Sequence, residues 1–230
     1  QALILAAGRG ERMRPLTDHA PKPLLQAGGK SLIVWHIENL SKAGIHDLVI
    51  NHAYLGHQIE TALGNGSRFG VHIRYSAENP VLETAGGIVH ALPLLGNDPF
   101  AVINSDIYCD YDFVQLPDRA SALTASGDAA HLVLVDNPAH HPSGDFGLIN
   151  GKVTDTPAFT FSGIGIYQPG LFANIPCGTV SPLAPLLRAQ IALGKISGEH
   201  YGGRWLDVGT PQRLEILDNE LRSQHNATHV

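Results

Sequence analysis

Short apolar runs alternate with amphipathic segments across the first hundred residues, and that rhythm limits the fold more than any other feature. Leu3-Ile4-Leu5, residues 47–50 and Ala101-Val102-Ile103 each suit one buried strand, and residues 71–75 alternate as a strand. Between them, residues 31–43, 55–63 and 84–92 carry apolar positions at helical spacing. In the first of these segments Leu32, Ile33, His36, Ile37 and Leu40 share a face, and Gly44 ends it. Gly64-Asn65-Gly66 ends the second. Alternating strands and helices predict an α/β fold, a mostly parallel mixed sheet flanked by helices.

After Asp106 the texture changes. Residues 128–135 read as a further strand. Residues 146–149, 152–154 and 160–167 read as strands joined by glycine-rich turns, a small antiparallel layer expected to close over a substrate. A helix is expected over 181–193, with Pro near its start, where Pro is tolerated. A short strand over 203–206 and an amphipathic helix over 212–222 follow, and the polar residues 224–230 are expected to fray. With no repeat and no linker, residues 1–230 read as one domain of two lobes, 1–110 and 111–230.

Composition removes several classes of function. Formal net charge is -6 with no basic run, which argues against nucleic acid as a partner. No apolar stretch approaches a membrane span. The opening Gln-Ala-Leu-Ile-Leu lacks a basic n-region and a cleavage site, so it reads as a strand rather than a leader. Cys109 and Cys177 have no metal or redox spacing, which fits a reducing cytoplasm.

An acidic chain that binds phosphate must concentrate its cations, and the first strand leads into such a concentration. Leu5-Ala6-Ala7-Gly8-Arg9-Gly10 breaks the apolar run with two glycines, which free backbone N–H groups to converge on an anion. Arg9, Arg12, Arg14 and Lys22 follow closely. The dinucleotide fingerprint fails because Met13 stands where it needs a third glycine, and the Gly-Lys-Ser/Thr of a P-loop is absent. The whole stretch resembles the activating loop of the sugar nucleotidyltransferases, L-A-A-G-x-G-x-R-[ML]-x-P-L-T followed by P-K-P. The resemblance implies a Rossmann-like nucleotide-diphospho-sugar transferase fold, with residues Leu5 to Gly10 wrapped around a nucleoside triphosphate. It also implies that Arg14 and Lys22 hold the phosphates.

Two apolar strands end in carboxylates a hundred residues apart, Asp106 and Asp207. Ligands of open α/β sheets sit beyond the carboxyl ends of strands, and Mg²⁺ takes one or two carboxylates plus phosphate oxygens and water. Each Asp alone could equally cap its turn. The resemblance favours metal ligation, since the family has a strand ending in Gly/Ser-Asp and the motif Trp-x-Asp-x-Gly-Thr-Pro. The implied reaction is in-line attack of a sugar 1-phosphate on the α-phosphorus of a nucleoside triphosphate, with Arg14, Lys22 and Asp106 as catalytic residues. The phosphate nucleophile is already anionic near neutral pH, so no general base is needed.

Leu82-Glu83-Thr84-Ala85-Gly86-Gly87 resembles the segment of that family that approaches base and sugar, which makes Glu83, Thr84 and Gly87 candidate nucleotide contacts. Glu83 is as easily a first-turn helix residue. Asn51 could face the base or cap its loop. Val49-Ile50-Asn51-His52-Ala53, the run from Leu134 to Pro138 with His140-His141, Gly144-Asp145-Phe146, Phe161-Ser162-Gly163-Ile164 and Gly198-Glu199-His200-Tyr201 are similar to the bacterial N-acetylmuramate-1-phosphate uridylyltransferases of cell-wall recycling. That resemblance implies UTP and N-acetylmuramic acid 1-phosphate as substrates. It places sugar-phosphate contacts at Asp145, Gly147, Ser162, Gly163 and Glu199. The sugar-phosphate lysine of the wider family is missing, because Asp155-Thr156-Pro157 stands in its place. Lys152, Lys195, or Lys22 with the metal are the candidate substitutes, and His140 and His141 read first as loop residues. Residue physics alone leaves open other sugar-1-phosphate nucleotidyltransferases, a phosphocholine cytidylyltransferase, or a nucleotide-sensing domain. The expected assembly is a monomer or weak homodimer.

Overall fold

A computed structural model describes residues 1–228. β1 (Ala2–Leu5) leads through the glycine loop to a two-stranded ribbon, β2 (Gln26–Ala27) and β3 (Lys30–Ser31). α1 (Leu32–Lys42), β4 (Asp47–His52), α2 (Gly56–Leu63), β5 (His72–Ala77), α3 (Glu83–Leu95) and β6 (Phe100–Asn104) continue the alternation. β7 (Ile107–Cys109) and α4 (Leu116–Ser126) precede β8 (Ala130–Val135), β9 (Phe146–Ile149) and β10 (Lys152–Tyr167). α5 (Leu183–Ala192), β11 (Ile196–Tyr201), β12 (Trp205–Asp207) and α6 (Pro211–Thr228) complete the chain.

The main sheet runs β11-β8-β10-β6-β1-β4-β5, with β9 attached to β10. β5, β4, β1 and β6 are parallel, β11 is parallel to β8, and β10 is antiparallel to both β6 and β8. Side chains alternate across it with period two. Ile4, Leu48, Ile50, Ile103 and Val133 face a core with α1, α2 and α4. Leu3, Val49, Val102, Leu132 and Leu134 face a second core with α3 and α5. A third cluster packs α6, through Leu214, Leu217 and Leu221, against Met13, Ala27 and Leu32. α6 thereby packs against Met13, which follows the glycine loop, and against the β2–β3 ribbon.

The antiparallel strands do not form a separate layer. Asn150 and Gly151, both at positive φ, make the two-residue turn that pairs β9 with β10. β10 then runs on unbroken into the centre of the sheet, where the sequence suggested two short strands. Small antiparallel sheets are present instead as the β2–β3 and β7–β12 ribbons. α6 continues to Thr228, past the expected end at 222, and the last residues expected to fray, 229–230, lie outside the described residues. Among the described residues no helix is long and apolar enough to cross a membrane.

Candidate active site

β1 has β4 on one side and β6 on the other, so the chain reverses its order across the sheet at that strand. Such a switch point opens a crevice at the strands' carboxyl ends. Three clefts meet there, and Asp106 lines all of them. The first is lined by Leu5, Ala6, Ala7, Gly8, Asn51 and Thr84, with Glu83 at its edge. The second lies under the glycine loop, between Gly8, Arg9, Gly10 and Arg12 on one side and Lys22 and Gly209 on the other. The third runs past Arg12, His140, His141, Asp145, Ser162 and Asp207.

The loop is held in one shape. Gly10 sits at φ +64°, and a Cβ there would lie 3.0 Å from Thr17 Cγ2 and 3.2 Å from Lys22 Cβ. Its carbonyl accepts from the buried Thr17 hydroxyl at 2.8 Å and from the Met13 N–H at 2.9 Å. Tyr54 and Gln58 donate to the carbonyls of Asp18 and His19, and the Arg9 guanidinium lies 5.8 Å from the Tyr54 ring centre.

Asp106 is fixed from several directions. Lys22 Nζ, whose side chain is only 10% exposed, donates to Asp106 Oδ2 at 2.6 Å. The Val208 N–H donates to the Asp106 carbonyl at 2.7 Å. His36 Nε2 donates to the next carbonyl, that of Ile107, at 2.8 Å. Burial outweighs that backbone bond and holds the His36 imidazole down at about 4, so it stays neutral at pH 7. The β7–β12 ribbon sets Asp207 opposite Ile107, beside Asp106 in chain order, and both carboxylates line the third cleft. Arg213 donates to Asp207, and His140 Nε2 lies 2.8 Å from the same carboxylate. Two carboxylates, Asp207 on the ribbon and Asp106 just before it, line clefts that also carry cations and suit a hard cation that completes its shell with phosphate oxygens and water. The described residues hold no group of three or more His, Cys, Asp or Glu of the kind that builds an all-protein metal site.

A buried strut joins the loop to α3. The Ala6 N–H donates to Asn51 Oδ1 at 2.7 Å, Asn51 Nδ2 donates to Glu78 Oε1 at 2.6 Å, and the Leu82 N–H donates to Glu78 Oε2 at 2.9 Å. Asn51 is 2% and Glu78 5% exposed, so these groups have little access to water. Asn51→Ala leaves the Ala6 donor and a buried carboxylate short of partners. The expected loss is about 2–4 kcal/mol, read by calorimetry as a fall in melting temperature of about 5–12 °C.

A family model described as nucleotidyl transferase matches residues 1–164. The N-acetylmuramate alpha-1-phosphate uridylyltransferase of Neisseria meningitidis is 53% identical over 94% of this chain and 95% of its own length. The chain belongs to the nucleotidyl transferase family. It is an enzyme of the sugar-1-phosphate nucleotidyltransferase type. The Aspergillus fumigatus mannose-1-phosphate guanyltransferase is 34% identical over 92% of this nucleotidyltransferase but only 61% of the fungal protein. A Bacillus anthracis structure described as a glucose-1-phosphate thymidylyltransferase superposes with a TM-score of 0.85 at 22% identity, covering 96% of this chain and 95% of that one. HddC from Yersinia pseudotuberculosis, solved with GMP-PN, superposes with a TM-score of 0.76 at 19% identity, over 95% of this chain and 98% of that one. At those identities the two structures speak for the fold alone.

The structure places several of the nucleotidyltransferase's expected site residues away from the three clefts or against other parts of the chain. Arg14 does not line the three clefts; its side chain is 65% exposed and pairs with Asp18 at 3.3 Å. Arg12 lines two of them, and the motif's own arginine falls at Arg12 rather than Arg14. Gly87 is buried behind the strut, where a Cβ would lie 2.5 Å from Glu78 Oε1. The adjoining amides of Ala85 and Gly86 donate to the Ser181 carbonyl. Gly147 packs against Thr154 and Thr156 inside the β9–β10 hairpin. Gly163, at φ +83°, marks the bulge between Phe161 and Gly165 and backs onto Asn104, which lines two clefts. Ser162 lines the third cleft but its Oγ accepts from the Ile164 N–H at 3.1 Å. Lys152 is bound to Asp128 at 2.6 Å, and Lys195 reaches the Gly127 carbonyl, both at the amino end of β8 and away from the clefts. Sequence reasoning missed Glu78 and Arg213, for which no local motif gives a signal.

Glu199 does not line these three clefts either. Its carboxylate accepts from Tyr111 Oη at 2.6 Å and Arg119 Nη2 at 2.5 Å, with His131 Nε2 at 3.4 Å. Burial would raise this carboxyl, but the hydrogen bonds from His131, Tyr111 and Arg119 hold it down at about 2. His36, with its ordinary value of 6.5, and Glu199, with 4.5, therefore both release protons more readily folded than unfolded. As pH falls, the unfolded chain takes up protons first, so stability drops from about pH 6.5 to 4 through His36 and then toward about 2 through Glu199. Melting temperature against pH should show both arms, and Glu199→Gln should remove the lower one; an unchanged lower arm in that variant would contradict the assignment.

Proposed function

We infer that this enzyme transfers the uridylyl group of UTP to N-acetylmuramic acid 1-phosphate, releasing pyrophosphate, as a cytoplasmic step of cell-wall recycling. The observation that carries the reading is the full-length similarity to the Neisseria uridylyltransferase, 53% identical over 95% of that protein. The meeting of three clefts at Asp106 supports the chemistry, because a triphosphate, a nucleoside and a sugar phosphate must converge on one phosphorus.

In this reading the first cleft takes the nucleoside, with Leu5, Ala6, Ala7, Asn51, Glu83 and Thr84 around it. The loop cleft takes the β- and γ-phosphates against Gly8, Arg9, Gly10 and Arg12. The third takes the sugar phosphate. Asp106 and Asp207 would hold Mg²⁺, which supplies charge neutralisation to the α-phosphate and the incoming phosphate. Lys22 lies beside Asp106 and is placed to neutralise the α-phosphate as the bond forms. Arg12 spans the loop and sugar clefts, so it is placed to steady both the departing pyrophosphate and the incoming monoester. Residue positioning and charge, rather than proton transfer, do the catalysis. The orienting hydrogen bond from His36 to Ile107 keeps the Asp106 turn from relaxing.

Pyrophosphate release tests this directly. UTP, CTP, GTP, ATP and dTTP are each paired with the 1-phosphates of N-acetylmuramate, N-acetylglucosamine, glucose and mannose. Preferred turnover of UTP with the muramate ester is the expected result. Preference for GTP with mannose 1-phosphate would replace this reading with that of the fungal relatives.

A further inference from the structure

With Lys152 and Lys195 turned away, the sugar cleft has three side chains able to carry positive charge: Arg12, His140 and His141. Arg12 is shared with the loop cleft and lies on the phosphate side. The histidines sit on the segment between β8 and β9, and that segment is tightly pinned. Asn137 Nδ2 donates to the carbonyls of Pro142 and Ala158, and Asn137 Oδ1 accepts from Thr160 Oγ1 at 2.8 Å. The His141 N–H donates to the Pro138 carbonyl, and the Asp145 N–H to that of Phe159. Both imidazoles line the cleft, their side chains 42% and 41% exposed.

Each ring is also oriented by a carboxylate. His141 Nε2 lies 3.1 Å from Asp145 Oδ1, while Asp145 Oδ2 accepts from the Phe161 N–H at 2.8 Å. Asp145 is thus a positioning residue with both oxygens engaged. His140 Nε2 lies 2.8 Å from Asp207, with Arg213 packed on the same ring. Two imidazoles on a pinned segment, each oriented by a carboxylate, therefore line one wall of this cleft. A sugar whose phosphate reaches Asp106 would set its far side against Pro138, His140 and His141.

We propose that His140 and His141 form a subsite for an acidic substituent of the sugar, a carboxylate, and thereby set the preference for an acidic over a neutral sugar 1-phosphate. The inference rests on the reading that the second substrate is N-acetylmuramic acid 1-phosphate, whose lactyl ether carries such a group. His141 is the primary contact, because it stands clear of Asp207.

The test measures kcat/KM with UTP and Mg²⁺ for N-acetylmuramate 1-phosphate, for the same ester with its carboxylate converted to a carboxamide, and for N-acetylglucosamine 1-phosphate. It uses wild type, H141Q and the H140Q/H141Q pair. The wild-type enzyme should favour the carboxylate over both neutral sugars. H141Q should shrink that ratio on the order of tenfold or more, through KM for the acid rather than through kcat, and the pair should shrink it further. Any loss that His140 transmits through Asp207 falls equally on all three sugars and drops out of the ratio. An unchanged ratio in both variants, with the wild-type preference intact, overturns the subsite alone. A wild-type enzyme that favours the neutral sugars overturns the substrate reading and the subsite with it.

Discussion

Asp106→Asn is expected to lower kcat for pyrophosphate release by about 10²- to 10³-fold while the protein still folds. Asn keeps the size of the side chain and an oxygen to accept from Lys22 Nζ, which lies 2.6 Å from Asp106 Oδ2. The backbone bonds that shape the turn, from Val208 to Asp106 and from His36 to Ile107, do not involve the carboxylate. What changes is charge at the one residue common to all three clefts. In the proposed reaction two polyanions come together, and that charge would hold the cation that neutralises them. The variant should also need a higher Mg²⁺ concentration for half-maximal turnover, and circular dichroism should match wild type. Near-native kcat with an unshifted Mg²⁺ dependence would remove Asp106 from the centre of the mechanism.

The parallel half of the fold was legible because its signals are local. β1, β4 and β6 read as short apolar runs and β5 as an alternating one, and each intervening helix has one apolar face ended by glycine. The second half was harder for a physical reason. β10 changes partners along its length, from β9 to β8 and β6, and Pro157 with the polar residues around it interrupts the alternation where the strand bridges between them. α4 was missed because its buried residues are only Leu116 and Leu123, too few to make a visible stripe. β11 was missed because its middle carries Gly198 and Glu199, a charged residue that is stabilised only by Tyr111, Arg119 and His131 from distant parts of the chain.

The site divides the same way. Residues contiguous with a strand end, Leu5 to Gly10, Asp106 and Asp207, line the clefts because strand direction already aims them there. Glycines gave the poorer guide. Gly87 and Gly147 are required by neighbours that approach within 2.5 and 2.4 Å of where a Cβ would stand, and neither neighbour is adjacent in sequence. Asn51 and Glu78 form a strut between two loops that no single stretch reveals.

The sharpest disagreement between sequence expectation and structure concerns two arginines two positions apart, and it yields a contrast that is easily measured. Arg12→Ala is expected to cut kcat/KM by about 10²-fold or more, because its side chain borders both the loop cleft and the sugar cleft. Arg14→Ala should stay within about threefold of wild type, because a 65% exposed guanidinium paired to Asp18 across an i,i+4 spacing contributes little. The intervening Met13 is fully buried against Ala27, Leu32 and α6, so the short turn of residues 11–13 cannot rotate to exchange the two arginines without exposing it. Losing that burial would cost about 2 kcal/mol, which biases the loop strongly toward presenting Arg12. Steady-state kinetics on the two alanine variants decide the matter. Equal losses in both would mean that the loop repacks around the triphosphate and recruits Arg14, and a loss confined to Arg14 would reverse the assignment.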